Sequence, residues 1–341
     1  MDKKPRVSIC VPVYNTGKYL DERIESFEAQ TFSDYEIIFL DGFSNDGSWE
    51  KICDYQSRDK RVQSFQLPPK GVYDAFNKVI EKASGEYIYL ATSDDTAEPE
   101  LLEELVGLLD KHSDCGIAQC SLQMIGPEGE KDPRGDYWEI REGMKFLSDW
   151  LPKYHKRPAP YDCFIGLLFN TIYTSMTQIL MRKEVFDKVG NFPETYGSFG
   201  DHFWHLKASM LFSCVYSPRK LATWRKYHDG QASDPHKHFN FRKNGGRYQM
   251  AMDALEAVKE LDIETYNLLH NSILHKYYLM DSYKLKYNKN LLSKLQGFLY
   301  YYAKDKELLS YIMKNKRNLS PIDPTFQKFV HDEISRLSID T

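Results

Sequence analysis

The chain has 341 residues, 42% of them hydrophobic and 28% charged, with a formal net charge of −4. This length exceeds the roughly 250–300 residues at which a single core stops growing, so a main domain with an appendage is expected, and the near-balanced charge argues against a general nucleic-acid binder. Six cysteines (Cys10, Cys53, Cys115, Cys120, Cys163 and Cys214) include no Cys-x-x-Cys pair, which points to reduced, mostly buried thiols in a cytoplasmic protein and away from a zinc site or a disulfide framework.

Val7 to Val13 is a β-branched run closed by Tyr14, Asn15, Thr16 and Gly17, and a helical pattern follows from Tyr19 to Gln30. Tyr35 to Leu40 repeats the strand signal and ends in Asp41-Gly42, after which Ser44, Asp46 and Ser48 offer caps for a helix to about Tyr55. Val62 to Leu67 predicts a third strand, Val72 to Ala83 a helix ended by Gly85, and Tyr87 to Leu90 a fourth strand. Strand and helix periods in alternation predict an α/β fold with a mainly parallel, twisted sheet flanked by helices. A helix from Leu101 to Lys111 and a strand near Gly116 to Gln123 come next, and the stretch from Pro127 to Pro160 is rich in Pro, Gly and charge, the composition of a variable loop. Thr177 to Met181 reads as a strand, Glu184 to Val189 as a short helix, and "GNFPETYGSFGDHFWHLKAS" as a loop entering another helix. Beyond about Asp234 the strand signals stop and Leu-, Tyr- and Lys-rich helical segments begin, so residues 1–233 are expected to form the main domain and 234–341 a helical C-terminal region.

Ligands of open α/β sheets gather at the carboxyl ends of the strands, where loops vary and helix N-termini point. Asn15, Asp41 and Asp94 each follow a strand and are expected along that edge. The stretch "IYLATSDDTAEP" ends a strand in adjacent carboxylates. Such a pair serves either as a helix cap, for which Thr96 would do, or as oxygen ligands for magnesium or manganese shared with substrate phosphates.

Five blocks in order, "VSICVPVYN", "YEIIFLDGFSNDGS", "GVYDAFNKVIEKASGEYIYLATSDD", "ILMRKEVFDKVGNFPE" and "GSFGDHF", resemble family 2 glycosyltransferases of the GT-A fold over roughly the first 230 residues. The resemblance implies a nucleoside-diphosphate-sugar donor, with uridine as the base, and a glycan or lipid-linked acceptor. Pro12, Tyr14, Asn15 and Asp41 would hold the base, while Gly71, Asp74 and Asn77 would approach ribose and uracil and Ser93 would join the nucleotide-binding set. Asp94 matches the metal-binding acid of a triplet that usually reads Asp-any-Asp. Thr92 takes the place of the first acid, and Asp95 or a water would compensate. His228, in "WRKYHDGQAS", is a further candidate ligand, and neutral imidazole suits manganese. Asp201 matches the general base that takes the acceptor proton in an inverting transfer, with Gly200 in place of the usual preceding Glu. The same Asp201 also reads as an N-cap, Asp41 as a turn former before Gly42, and Asn77 as a polar residue on a helix face.

Between Lys276 and Arg317 ten Lys or Arg stand against three Asp or Glu, with eight tyrosines interleaved. Such basic, aromatic helices suit a peripheral contact with the inner face of an anionic plasma membrane. A helical cap on the main domain, or a homodimer interface, is the competing expectation. No window approaches the ~20 apolar residues that span a bilayer, and the amino-terminal apolar run is short for a signal peptide. Two other functions stay open: a sugar nucleotidyltransferase, which would want a Gly- and Lys-rich phosphate loop where "VPVYNTGKYL" offers only Gly17 and Lys18, and a sugar-nucleotide-binding module without turnover, suggested by Thr92 and Gly200. No Gly-x-Gly-x-x-Gly follows the first strand, which disfavours a dinucleotide dehydrogenase.

Overall fold

The computed structural model describes residues 4–68, 70–132, 147–168, 172–196, 199–226 and 250–256, with residues 259, 266, 267, 269, 270 and 273 beyond them. His228, the boundary expected at 233/234 and the basic, Tyr-rich stretch from Lys276 to Arg317 lie outside the described residues.

The amino-terminal alternation folds as the periodicity predicts: β1 (Val7–Val13), α1 (Gly17–Glu28), β2 (Tyr35–Asp41), α2 (Ser48–Arg58), β3 (Val62–Gln66), α3 (Val72–Glu81), β4 (Tyr87–Leu90) and α4 (Leu101–Lys111). Every residue of β2 and β4 is buried, as are all of β1 except the partly exposed Pro12, which is why these strands read as continuous apolar runs and not as alternating ones. Two polar residues inside this layer have partners: the Ser8 hydroxyl donates to Glu36 Oε1 at 2.6 Å, and the same oxygen accepts from the Ser84 backbone N–H at 2.8 Å.

The remainder is β5 (Cys115–Ile125), β6 (His155–Arg157), α5 (Tyr161–Leu168), β7 (Ile179–Arg182), α6 (Lys183–Val189), α7 (Gly200–Leu211) and β8 (Ser213–Arg225). Together the strands form one eight-stranded sheet in the order β3-β2-β1-β4-β7-β5-β8-β6. Parallel pairing joins β1 to β2 and β4, β2 to β3, and β5 to β8, while β7 runs antiparallel between β4 and β5, and β6 antiparallel along β8. The mainly parallel expectation therefore holds with antiparallel members at β6 and β7, and the carboxyl ends of β1–β5 and β8 share one edge.

The expected variable stretch after Pro127 contains β6, whose pairing to β8 is anchored by a buried polar cluster. Arg157 donates to Asp162 Oδ1 at 2.7 Å and to Gln119 Oε1 at 2.5 Å, and the Tyr173 hydroxyl donates to Asp162 Oδ2 at 2.5 Å. The helical residues Met250, Ala251, Ala254 and Leu255, with Leu269 and Ile273, are buried in the same hydrophobic cluster as the sheet.

Candidate active site

Where β1–β4 end, a cleft of about 390 Å³ opens, lined by residues of the first two loops, by Lys70 to Lys78 around the start of α3, and by Thr92, Ser93 and Asp94. Pro12, Tyr14, Gly71, Asp74, Ser93 and Asp94 all stand in its wall, as their sequence positions predict. The walls are mostly apolar, with Lys70 and Lys78 as cations and Asp74 paired to Lys78 at 2.7 Å. This is the usual composition of a small-molecule site.

Asn15 and Asp41 act behind that wall. Asp41 is fully buried, accepting from the Ser44 N–H at 3.1 Å, the Ser44 hydroxyl at 2.5 Å and the Gln66 amide at 2.9 Å. These three bonds are those of a turn former before Gly42, and they leave one of the carboxylate's roughly four acceptor positions for the expected contact with a base. The Ser44 hydroxyl in turn accepts from the Asn15 N–H at 2.9 Å, and Asn15 Oδ1 accepts from the Asn45 N–H at 2.9 Å. Asn15 can do this because it adopts φ 52°, a left-handed conformation that Asn tolerates. Together these bonds tie the loop after β1 to the loop after β2.

Asn77 is likewise diverted from the cleft. Its side-chain amide donates to Phe192 O at 3.0 Å and accepts from Phe192 N at 2.8 Å, so it clamps α3 to the segment before α7. The expected approach of Asn77 to a nucleotide gives way to this structural clamp, because both ends of the amide are used. Gly71, at φ 122°, opens the cleft side of α3 in a conformation that favours glycine.

In the loop after β4 the two carboxylates part. Asp95 is 2% exposed and accepts from the Thr92 hydroxyl at 2.6 Å, from the Arg225 N–H at 2.7 Å and from the Ser175 hydroxyl at 3.3 Å. Burial, and then the neighbouring charge of Asp94, push the Asp95 carboxyl above its ordinary range. Asp95 thus anchors the loop, with Thr92 as one of its hydrogen-bond donors, and it is absent from the residues that line the cleft. Asp94 remains in the cleft wall beside Ser93, whose hydroxyl accepts from Thr16 at 2.9 Å. Among the described residues no group of three or more His, Cys, Asp or Glu side chains is arranged to hold a metal ion. With Asp74 paired to Lys78, Asp94 is the wall carboxylate after β4, an arrangement that fits a hard cation taking most of its oxygens from substrate phosphates and water and does not fit a protein-caged ion.

Asp201 lies in the first turn of α7, outside the residues that line the cleft, and is tied to α3 by Tyr73, whose hydroxyl donates to Asp201 Oδ1 at 3.1 Å; the same oxygen accepts from the His202 N–H at 2.7 Å. Tyr73 belongs to α3, whose residues Val72, Asp74 and Ala75 line the cleft, while its own ring packs against Phe76 and Phe192. Burial raises the Asp201 carboxyl above its ordinary value, against the lowering effect of those hydrogen bonds. Gly200 is fixed by packing: a Cβ there would strike the Pro193 carbonyl oxygen and meet Tyr73 Cε2 at 2.6 Å. A Glu at this position has no room. Sequence reasoning missed Tyr73 and Arg225, which carry no local signal and are found only through partners more than a hundred residues away.

The architecture is that of GT-A glycosyltransferases. The glycosyl transferase family 2 profile matches residues 8–190, over half of the chain, and the chain belongs to that family. Among curated relatives it is 43% identical to glycosyltransferase GlyG of Streptococcus pneumoniae over 101 residues, 29% of this chain and 33% of that protein. It is 28% identical over 127 residues to the putative teichuronic acid biosynthesis glycosyltransferase TuaG of Bacillus subtilis, 37% of this chain and 50% of that protein. The chain thus spans a third to a half of these relatives. In fold it resembles S. aureus TarS 1–349 in complex with UDP-GlcNAc, with a TM-score of 0.64, 18% identity and coverage of 86% of this chain and 78% of that one. It also resembles the mannosyltransferase PcManGT from Pyrobaculum calidifontis in complex with GDP-Man and Mn2+, with a TM-score of 0.51, 16% identity and coverage of 99% and 88%.

Proposed function

We propose that this chain transfers a sugar with inversion from a uridine-diphosphate donor to a hydroxyl of a glycan or lipid-linked acceptor in the assembly of cell-surface polysaccharide. The observation that supports the reading is the cleft at the strand ends with Asp94 in its wall, bordered by the helix α3 that also holds Asp201 through the Tyr73 hydroxyl. Pro12, Tyr14, Gly71 and Ser93 form the surface that a nucleotide would cover, with Lys70 and Lys78 supplying positive charge beside it. Asp94 would hold a manganese or magnesium ion, which when bound supplies charge against the diphosphate leaving group. The Asp201 carboxylate takes the proton of the acceptor hydroxyl as its oxygen bonds to the anomeric carbon. The carbon–oxygen bond to the diphosphate breaks, and its electron pair leaves with the diphosphate.

Residues 1–233 form the catalytic unit in this reading. The burial of Met250, Leu255, Leu269 and Ile273 in the shared core favours a cap for the start of the helical region. For the stretch from Lys276 to Arg317 the proposed roles are alternatives, a homodimer interface or a contact with an anionic lipid surface. Among the described residues no helix is long and apolar enough to cross a membrane, and we place the protein in the cytoplasm, at the inner face of the plasma membrane.

A panel of nucleotide sugars with and without manganese, scored for diphosphate release, tests the proposal. Turnover of a UDP-sugar that stops with chelator is expected. Binding with no turnover for any acceptor would leave a binding module, and failure to bind any nucleotide sugar would overturn the reading.

A further inference from the structure

Arg225, the last residue of β8, carries its side chain behind the Thr92–Asp95 loop, where it is 1% exposed. Its Nε donates to the Asp94 carbonyl oxygen at 2.7 Å, its Nη1 to the carbonyl oxygens of Gly126 at 3.3 Å and Pro127 at 3.1 Å, and its Nη2 to Glu22 Oε2 at 2.6 Å. Its backbone N–H donates to Asp95 Oδ1 at 2.7 Å, and its guanidinium carbon lies 4.8 Å from the Tyr19 ring centroid. One residue therefore joins α1, the end of β5 and both carboxylate-bearing positions after β4.

We infer that Arg225, anchored by Glu22, is the positioning residue that fixes Asp94 in the cleft wall and so sets the affinity for a hard divalent cation bound together with a nucleoside diphosphate. The inference rests on the reading of the cleft given above. Arg225 draws the Asp94 carbonyl and the Asp95 carboxylate to its own side, which leaves Asp94 as the carboxylate of the pair in the wall. A planar guanidinium can meet acceptors in several directions at once, and an ammonium of similar reach cannot. Its charge is matched by Glu22, so it orients the loop without a bare positive charge beside the cation position.

The test compares wild-type full-length protein with Arg225→Lys and Glu22→Gln. Mn2+ binding is titrated by electron paramagnetic resonance with UDP present, UDP binding is measured by calorimetry without metal, and folding is checked by thermal melting. Arg225→Lys is expected to weaken Mn2+ binding by about 10-fold or more, the effect of losing a residue that orients a ligand. UDP affinity without metal should stay within about twofold, because the base-side wall is untouched. The Mn2+ half-saturation of turnover should rise more than kcat falls, a split that general loosening of the fold would not give. Glu22→Gln, at a half-exposed side chain, is expected to show the same pattern in weaker form; if Arg225→Lys does not fold, Glu22→Gln decides the matter. Wild-type Mn2+ affinity in the folded variants would overturn the inference while leaving the function intact. A wild-type protein that binds no Mn2+ with UDP would overturn the reading of the cleft itself.

Discussion

The Tyr73 hydroxyl reaches Asp201 at 3.1 Å across 128 residues of sequence, and it joins the helix that walls the cleft to the helix that carries the proposed base. Both groups sit where burial works against a charged carboxylate. The bond from Tyr73 favours the ionised form and so opposes that burial. Substitution of Tyr73 by Phe removes the opposition.

The acidic limb of the kcat/KM profile is therefore expected to lie above the ordinary carboxylate value of 3.8 and to move to still higher pH in Tyr73→Phe. The sign follows from the charge: the base must be ionised to accept a proton, and losing a hydrogen-bond donor raises its pKa. A profile that moves to lower pH, or that does not move, would separate Asp201 from the proton transfer.

Asp201→Asn is expected to slow transfer by at least about 100-fold while donor binding is retained, since a positioned base contributes roughly that much or more. Diphosphate release under saturating donor, set beside calorimetric donor binding, checks it. A variant at full rate would remove Asp201 from the mechanism.

Asn77→Ala separates structure from binding. Loss of both hydrogen bonds to the Phe192 backbone is expected to cost about 1–3 kcal/mol of stability, because a buried donor and acceptor lose their partners. UDP affinity should not change beyond the effect of folding. A selective loss of UDP binding with an unchanged melting temperature would return Asn77 to the nucleotide site.

Gly200→Ala is expected to destabilise by about 1–3 kcal/mol through overpacking, since the Cβ meets the Pro193 carbonyl oxygen and the Tyr73 ring. Chemical denaturation measures it. If the alanine protein is as stable as wild type, the crowding at the start of α7 is not what selects glycine.

At the other end of the sheet, Asp162→Asn leaves the Arg157 guanidinium, 1% exposed, without its carboxylate. Breaking a buried pair by removing one partner costs about 3–5 kcal/mol. A melting temperature close to wild type would mean that the Gln119 and His155 contacts suffice.

β1, β2 and β4 are legible because they are buried on both faces and so appear as nearly unbroken apolar runs, while β3, at the sheet edge with only Val62 buried, shows in the sequence as a shorter mixed run. β8 is hidden by Pro218, Arg219 and Lys220 in its middle, and the register of β5 on β8 shifts between Cys120 and Leu122, where this irregular stretch is accommodated. β6, three residues long, is below what periodicity can register. Within the cleft, Asp94 follows from its place after a strand, while Pro12, Tyr14, Gly71, Asp74 and Ser93 come from the resemblance to family 2 glycosyltransferases. The division of labour between Asp94 and Asp95 follows from neither, because it depends on Arg225 and Thr92 claiming one of two identical side chains. The intramolecular partners of Asp41 and Asn77 are not legible either: a carboxylate after a strand suits a ligand and a turn equally well, an amide on a helix suits a ligand and a clamp, and Ser44, Gln66 and Phe192 are distant or unmarked in the sequence.

The Thr92–Asp95 loop is made early in synthesis, yet it is pinned by Arg225, which lies 130 residues downstream of Asp95. A nascent chain that has completed β1 to β4 holds nearly all of the cleft's residues but not the brace behind that loop. During translation, rigidity at this corner must wait until β8 emerges and docks on β5. A polypeptide that ends after β4 and before β8 would carry the residues of the cleft wall without the brace that holds the Thr92–Asp95 loop.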